Sequence, residues 1–254
     1  MIEYCDANQI PGSIILLDIE KAFDSVEHDY LFQVLHHFNF GDSFINWIKS
    51  FYSNRKSYII NNGFISEAVS MERGIFQGCP ISPLLFLCAI EALAILIRGN
   101  DLIKGLKVGD LEKKVSLLAD DTTCFLQGDQ ESFTNLFRTL NNFARFSGCR
   151  INMSKSEAIH VGSLKGCGFK PFQNDGLVWK ENSFKYLGVH FSLNTKSLYE
   201  LNFIPKLNQI QQTLNCWRSR NLSLIGKIAV IKSLLLPQLL YLFSVLCISI
   251  PKLF

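Results

Sequence analysis

Ile14-Ile-Leu-Leu17 is an uninterrupted apolar run that ends at Asp18. Bounded in this way, it predicts a short buried strand over 13–18. Directly after it the spacing turns helical, with Leu31, Val34, Leu35 and Phe38 on one face of a helix predicted over 26–38. Asp24 and Glu27 are spaced as a capping box at its start. A second helix is predicted around 43–52. Residues 57–70 read as a small hairpin turning at Asn62-Gly63, a pair suited to the positive φ of a tight turn. The loop Gly74-Ile-Phe-Gln77-Gly78-Cys-Pro80-Ile-Ser82-Pro83 is punctuated by Gly and Pro. It leads into an apolar helix predicted over 83–97, with Ser82 as N-cap and Pro83 at the first helical position. Val115–Ala119 and Thr122–Leu126 predict two strands, and Asp120-Asp121 falls where their hairpin would turn. Residues 131–147 carry apolar side chains at 133, 136, 137, 140, 143 and 144, an amphipathic helix that Gly148 would end in a left-handed cap. Strands near 157–162 and 184–191 are expected to complete the sheet. From about 203 the chain reads as helical, with Pro237 breaking or kinking it. The layout is α+β, an antiparallel sheet with helices on one face followed by a helical region, divided near 193–203.

Two carboxylates side by side repel each other, and Asp120-Asp121 offers a fold no evident gain in return. A divalent cation relieves that repulsion, whereas the bland alternative is a polar turn. Asp18 changes the balance, because it is an acid at a strand end with no helix to cap. If its strand neighbours the acid hairpin, the three carboxylates meet. Such a set could hold two Mg²⁺ ions about 3.5–4 Å apart, the arrangement that serves in-line phosphoryl transfer.

The ordered set of motifs resembles the reverse transcriptases. Asp18 with Phe23 five residues on, Gln77-Gly-x-Pro80-x-Ser82-Pro83, and Ala119-Asp-Asp121 in a hairpin are similar to that family's polymerase signature. The wording Leu17-Asp-Ile-Glu-Lys-Ala-Phe-Asp-Ser-Val26 is similar to the first motif of non-LTR (LINE-type) retrotransposon polymerases. Ser147-Gly-Cys-Arg-Ile-Asn-Met-Ser-Lys155-Ser-Glu157 and Phe184-Lys-Tyr-Leu-Gly188-Val resemble the next two, and Trp217–Phe254 resembles their thumb.

The resemblance implies a polymerase palm over residues 1–192 and a helical thumb over 193–254, incomplete at its end. It implies an RNA-directed DNA polymerase that uses an RNA template, a DNA primer and deoxynucleoside triphosphates, with two Mg²⁺ ions or Mn²⁺ in their place. Asp18, Asp120 and Asp121 would be the metal-binding acids, and Lys155 the proton donor to the leaving pyrophosphate. Phe23 would be the gate that excludes a 2′-hydroxyl. Gln77 and Gly78 would touch the incoming nucleotide and the template. Tyr186, Leu187 and Gly188 would form the primer grip. Leu118 and Phe76 depart from the pattern: relatives most often carry Tyr at the first position and many carry Arg at the second, a guanidinium that could meet a phosphate.

Charge agrees with a nucleic-acid partner. The chain of 254 residues has a net charge of +3, but residues 1–149 carry −6 and residues 150–254 carry +9. The acidic half would hold metal and the basic half a phosphate backbone. Lys206, Arg218, Arg220, Lys227 and Lys232 are the best placed for that contact, against the plain alternative of a solvated helix face. The eight cysteines (5, 79, 88, 124, 149, 167, 216 and 247) have no zinc spacing and read as reduced residues of an intracellular protein. No secretory leader is visible, and the family would place the protein in the nucleus or in a cytoplasmic ribonucleoprotein. The apolar stretch 228–250 is interrupted by Lys232, Pro237 and Gln238. It is expected to pack as a thumb helix pair, with no membrane involved. The sequence carries no signal for oligomeric state. Most of the fingers region is expected to be missing, leaving the chain alone with little or no polymerase activity. The alternatives are an inactive palm and thumb that binds nucleic acid, or a structural or membrane protein related by descent only.

Overall fold

The computed structural model describes residues 1–194 and 197–246, in two compact units that divide between Glu181 and Asn182. In chain order the first unit contains α1 (Ile2–Ala7), β1 (Gly12–Leu17), α2 (Ala22–Ser25), α3 (His28–His37) and α4 (Asp42–Tyr52). The short strands β2 (Lys56–Ser57), β3 (Ile60–Asn61), β4 (Phe64–Ile65) and β5 (Val69–Ser70) follow, then α5 (Ser82–Arg98). Next come β6 (Leu106–Val108), β7 (Leu111–Lys113), β8 (Val115–Leu118), β9 (Asp121–Leu126), α6 (Gln130–Ser147), β10 (Glu157–Val161) and β11 (Val178–Lys180). The second unit contains β12 (Ser183–Tyr186), β13 (Val189–Ser192), α7 (Leu198–Arg218), α8 (Leu224–Val230), a π-helical turn (Ile231–Leu235) and α9 (Leu236–Val245).

The first unit is built on a five-stranded sheet in the order β11-β10-β1-β9-β8. Its middle strand β1 is the Ile14–Leu17 run, antiparallel to both neighbours, with Ile15 opposite Cys124 on one side and Ala158 on the other. The pleat sends alternate side chains to opposite faces. Ile15, Leu17, Cys124, Leu126 and Ala158 therefore share one face and join the core under α3, α5 and α6. Phe86, Leu93, Phe133 and Leu35 are fully buried there. At about 25 cal/mol per Å² of apolar area, this layer is the main stabiliser of the unit. α6 is framed as the sequence predicts: the Asp129 carboxylate accepts from the Ser132 N–H at 2.8 Å, and Gly148 closes the helix at φ +79°. A Cβ at Gly148 would stand 2.2 Å from the Ser25 carbonyl oxygen, so only glycine fits. Asn62 (φ +50°) and Gly63 (φ +82°) form the expected tight turn between β3 and β4.

Four local expectations differ. No capping box forms from Asp24 and Glu27, because the helix restarts and α3 begins at His28 without a side-chain cap. A tertiary partner wins: the Glu27 N–H donates to the Ser147 carbonyl at 2.9 Å and its carboxylate faces Arg73 at 3.9 Å. Ser82 is the first residue of α5 with its hydroxyl buried, rather than an N-cap. The hairpin β12-β13 does not complete the five-stranded sheet, which takes β11 instead, in parallel with β10. It forms its own two-stranded sheet, tied to α7 by Asn202, whose side chain bonds the His190 N–H and C=O, each at 2.8 Å. The compact boundary accordingly precedes the hairpin. In the second unit Val189, Phe203, Leu242 and Leu246 make a small core. Leu224–Val245 is a continuous helical run of 22 residues, long and apolar enough to cross a membrane. The expected packing of this stretch is sparse within the unit, where Leu235, Leu242 and Leu246 are its buried residues among those described. Its π-helical turn lies just before Pro237, which cannot donate to the helical ladder. Cys247 and the end of the apolar stretch lie outside the described residues.

Candidate functional site

The three acids come together at one end of the sheet. Leu17 pairs with Thr122, so Asp18, one step on, lies across from Asp121. The β8-β9 hairpin closes at the Leu118–Asp121 pair over the two-residue turn Ala119-Asp120. The turn is therefore one residue earlier than the acid pair, with Asp121 the first residue of β9. Ala119 sits at φ +53°, a left-handed conformation that costs a residue bearing Cβ roughly 1–2 kcal/mol. Leu17 and Thr122 point into the core, so the pleat turns Asp18 and Asp121 to the opposite, open face. The Asp121 carboxyl is held above the ordinary range, first by burial and then by the negative charges of Asp120 and Asp18. The acids thus share one field. Among the described residues, no three His, Cys, Asp or Glu side chains stand close enough to enclose one ion.

Asp18 is fixed through its backbone by the segment before β10. Its N–H donates to the Ser156 hydroxyl oxygen at 3.1 Å, and its C=O accepts from the Asn152 N–H at 2.8 Å. The Ser156 hydroxyl in turn donates to the Asn152 carbonyl at 2.8 Å. Sequence reasoning missed both residues. The available signal was the run Asn152-Met-Ser-Lys-Ser156, rich in groups that bond local backbone. Lys155 lies in this segment with its side chain exposed, so the clamp brings its backbone close to Asp18.

The loop before α5 is docked onto the segment after Asp18. The Ile75 N–H donates to the Phe23 carbonyl at 2.6 Å and the Gly74 N–H to the Val26 carbonyl at 2.8 Å. Gly74 is at φ +94° with the Asp24 backbone 3.0 Å from where a Cβ would stand, so the approach requires glycine. Phe23 stacks on the buried Phe86 ring with centroids 4.5 Å apart and planes 17° from parallel. Gln77 and Gly78 follow, both exposed, with Gly78 at φ +83°. The structure therefore brings Phe23, Gln77 and Gly78 to one locality.

In the second unit Tyr186, Leu187 and Gly188 form the tip of the β12-β13 hairpin. Leu187 (φ +49°) and Gly188 (φ +78°) make the turn, and the Tyr241 hydroxyl donates to the Leu187 carbonyl. Arg218, Arg220 and Lys227 line one groove of about 450 Å³ with Trp217, Gln211 and Asn215. The Arg220 guanidinium lies 4.5 Å from the Trp217 ring centre. Lys206 bonds Gln209 at 3.0 Å and lies, like Lys232, outside that groove.

A model of the reverse transcriptase (RNA-dependent DNA polymerase) family matches residues 2–191. This chain belongs to that family. It is 32% identical over 239 residues to the "Transposon TX1 uncharacterized 149 kDa protein" of Xenopus laevis, covering 93% of this chain and 18% of that protein. It is 27% identical over 238 residues to the Pol polyprotein of a type-1 retrotransposable element R2 from Popillia japonica, covering 90% and 32%. The fold is like that of telomerase from Candida tropicalis in complex with a TWJ fragment of telomeric RNA. The TM-score is 0.54 at 11% identity, over 94% of this chain and 41% of that one. The chain thus spans a third or less of the two relatives' length.

Leu118 and Phe76 are the two positions expected to depart from the family's pattern. Leu118 pairs with Asp121 at the head of the acid hairpin and is 54% exposed, so an apolar side chain borders the open face there. Phe76 lies against Tyr52, with ring centres 4.8 Å apart and planes 17° from parallel. The Arg55 guanidinium stands over the Phe76 ring, with Cζ 3.8 Å from the ring centre.

Proposed function

We propose that this chain carries the nucleotide-adding centre of an RNA-directed DNA polymerase, with the first unit as palm and the second as primer-grip hairpin and thumb. The observation that carries the reading is the convergence of Asp18, Asp120 and Asp121 at one sheet end, where burial and then its two acidic neighbours raise Asp121. Carboxylate oxygens are the donors that Mg²⁺ and Mn²⁺ take, and their unrelieved repulsion fits a site made for cations. When bound, two such ions would activate the primer 3′-hydroxyl and neutralise charge on the triphosphate. The chain's own residues supply position. Asn152 and Ser156 hold the Asp18 backbone, and the Ala119 turn presents Asp120. Phe23, backed by Phe86, sets a flat wall where the sugar of a deoxynucleotide would lie. Gln77 and Gly78 face the base pair being formed. In this reading Lys155 gives a proton to pyrophosphate, and Arg218, Arg220 and Lys227 hold a phosphate backbone.

The test is a templated-nucleotide complex, which does not require turnover. A labelled RNA-template/DNA-primer is titrated with the protein in Mg²⁺, with and without the next complementary deoxynucleoside triphosphate. The complementary nucleotide should tighten binding at least severalfold, a mismatched one should not, and Asp120→Asn should abolish the difference. Equal binding with either nucleotide would sink the reading. That outcome would favour a palm and thumb that binds nucleic acid without catalysis.

A further inference from the structure

Arg55 lies between α4 and β2, where its backbone carbonyl accepts from the Met71 N–H at 2.9 Å at the base of the exposed hairpin. Its Nε donates to the Phe51 carbonyl. Its guanidinium carbon is 3.8 Å from the centre of the Phe76 ring, the residue before Gln77-Gly78. Phe76 is in turn stacked on Tyr52, which is buried. Tyr52 is 4.9 Å from the His28 ring, and His28 bonds the Gly74 carbonyl at 3.0 Å. The guanidinium is thus the outer layer of a stack that meets the Gly74–Gly78 loop at Gly74 and at Phe76. Its charge also reaches the Cys79 thiol on the far side of Gly78.

Arg55 has no carboxylate partner among the described residues, and its two terminal amino groups make no hydrogen bond there. Arg73, just past the other end of the same hairpin, faces Glu27, so of the two arginines flanking β2–β5 it is Arg55 whose charge has no carboxylate beside it. A guanidinium stacked on a ring keeps its edge in plane and open, the geometry that meets two phosphate oxygens at once. We propose that Arg55 is a phosphate-binding residue of the nucleotide loop, held by the Phe76 ring beside Gln77 and Gly78. This rests on the polymerase reading above. The phosphate has two possible sources, a nucleic-acid strand or the incoming triphosphate.

The experiment uses the full chain and the same labelled template–primer, in two arms. In the first, the dissociation constant is measured against salt concentration without nucleotide. In the second, complementary deoxynucleoside triphosphate is titrated into the preformed complex at fixed salt. Arg55→Gln should weaken one arm by about tenfold, the effect of losing a charge-assisted contact. If the strand supplies the phosphate, the first arm weakens and the log–log salt slope falls by about one. If the triphosphate supplies it, the first arm is unchanged and only nucleotide affinity falls. Arg55→Lys should restore the salt slope, because the charge returns, but only part of any lost nucleotide affinity, because the two-pronged edge does not; a purely structural role would leave the slope unmoved in every variant. Phe76→Leu should weaken the same arm as Arg55→Gln. Wild-type binding with both arms unchanged in Arg55→Gln overturns the proposal while the polymerase reading stands. A wild-type chain that binds neither ligand overturns both.

Discussion

Substituting Asp121→Asn should stabilise this protein at neutral pH, although it removes a residue assigned to the active centre. Asp121 follows Asp120 directly in the chain and lies across the sheet from Asp18. Directly opposed strand residues stand about 5.5 Å apart. Two unit charges at that distance repel by about 0.75 kcal/mol in water. Asp121 is exposed as a residue, so the water value is the one for these charge pairs, while the partial burial of its carboxyl, the larger cause of the raised pKa, adds to the cost of the charge. Two such neighbours, reduced by salt screening, leave a cost of about 1 kcal/mol. The carboxyl is raised above its ordinary value in the folded state. The native protein therefore binds more protons than the unfolded chain between the two pKa values. Stability falls as pH rises through that window, and the full cost persists above it. Asp121→Asn removes the cost, so the melting temperature of the first unit should rise by about 2–4 °C at pH 7 and low salt. The gain should shrink towards zero near pH 3, where the wild-type carboxyl is neutral. Millimolar Mg²⁺ should raise the wild-type midpoint and close the gap to the variant. Thermal melts followed by circular dichroism at both pH values and with Mg²⁺ read all three effects. A lower midpoint at pH 7, or a gain of equal size at pH 3, would refute the shared-field argument.

Four more measurements bear on the site and its support. Ser156→Ala leaves the Asp18 N–H without its partner and should cost about 1–2 kcal/mol in urea unfolding, with Ser156→Thr recovering most of it. It should also weaken the nucleotide-dependent tightening of template–primer binding, which a remote destabilisation would leave alone. Gly148→Ala places a Cβ against the Ser25 carbonyl at a positive φ and should cost about 2 kcal/mol or more; an unchanged urea midpoint would show that the α2–α6 contact gives way. Phe23→Leu removes the ring stacked on Phe86 and should let a complementary ribonucleotide stabilise the template–primer complex, where the parent chain responds to the deoxynucleotide alone. Iodoacetamide labelling read by mass spectrometry should modify Cys79 and Cys216 first at pH 7. The Cys79 thiol is lowered, mainly by the Ile81 backbone N–H, and Cys216 is exposed. Cys124, whose thiol burial pushes up to about 12, and the buried Cys149 should label on unfolding only.

What the sequence disclosed and what it concealed divide along the range of the interactions. The Asn62-Gly63 turn, the Gly148 cap and the helices over 28–37 and 130–147 rest on contacts within a few residues, and the pattern predicts them closely. Phe23, Gln77, Gly78 and the three acids were singled out because each motif has a local form and their order in the chain is distinctive; the structure adds their placement, the acids at one sheet end and the other three in one locality. The errors fall where a distant partner overrides a local preference. Glu27 has the spacing of a capping residue, but Ser147 and Arg73 take its backbone and its charge. The strands at 183–192 alternate well enough for the main sheet, yet Asn202 secures their edge to α7.

The supports of the site lie deepest in this second class. Asn152 and Ser156 are more than a hundred residues from Asp18 and carry no feature that marks them as its clamp. Arg55 could not be tied to Phe76 by spacing, because the hairpin between them sets their distance in space. An arginine at position 76 was expected from the resemblance, and folding puts the Arg55 guanidinium over the Phe76 ring. A substitution that looks like decay along the chain can thus preserve the local chemistry in three dimensions. Phe76 and Arg55 then form one unit, and exchanging them together is a sharper probe than changing either. If a guanidinium beside Gln77 is what matters, Phe76→Arg should offset Arg55→Gln in the same binding arm. If the stack itself matters, the double variant should be no better than Arg55→Gln alone.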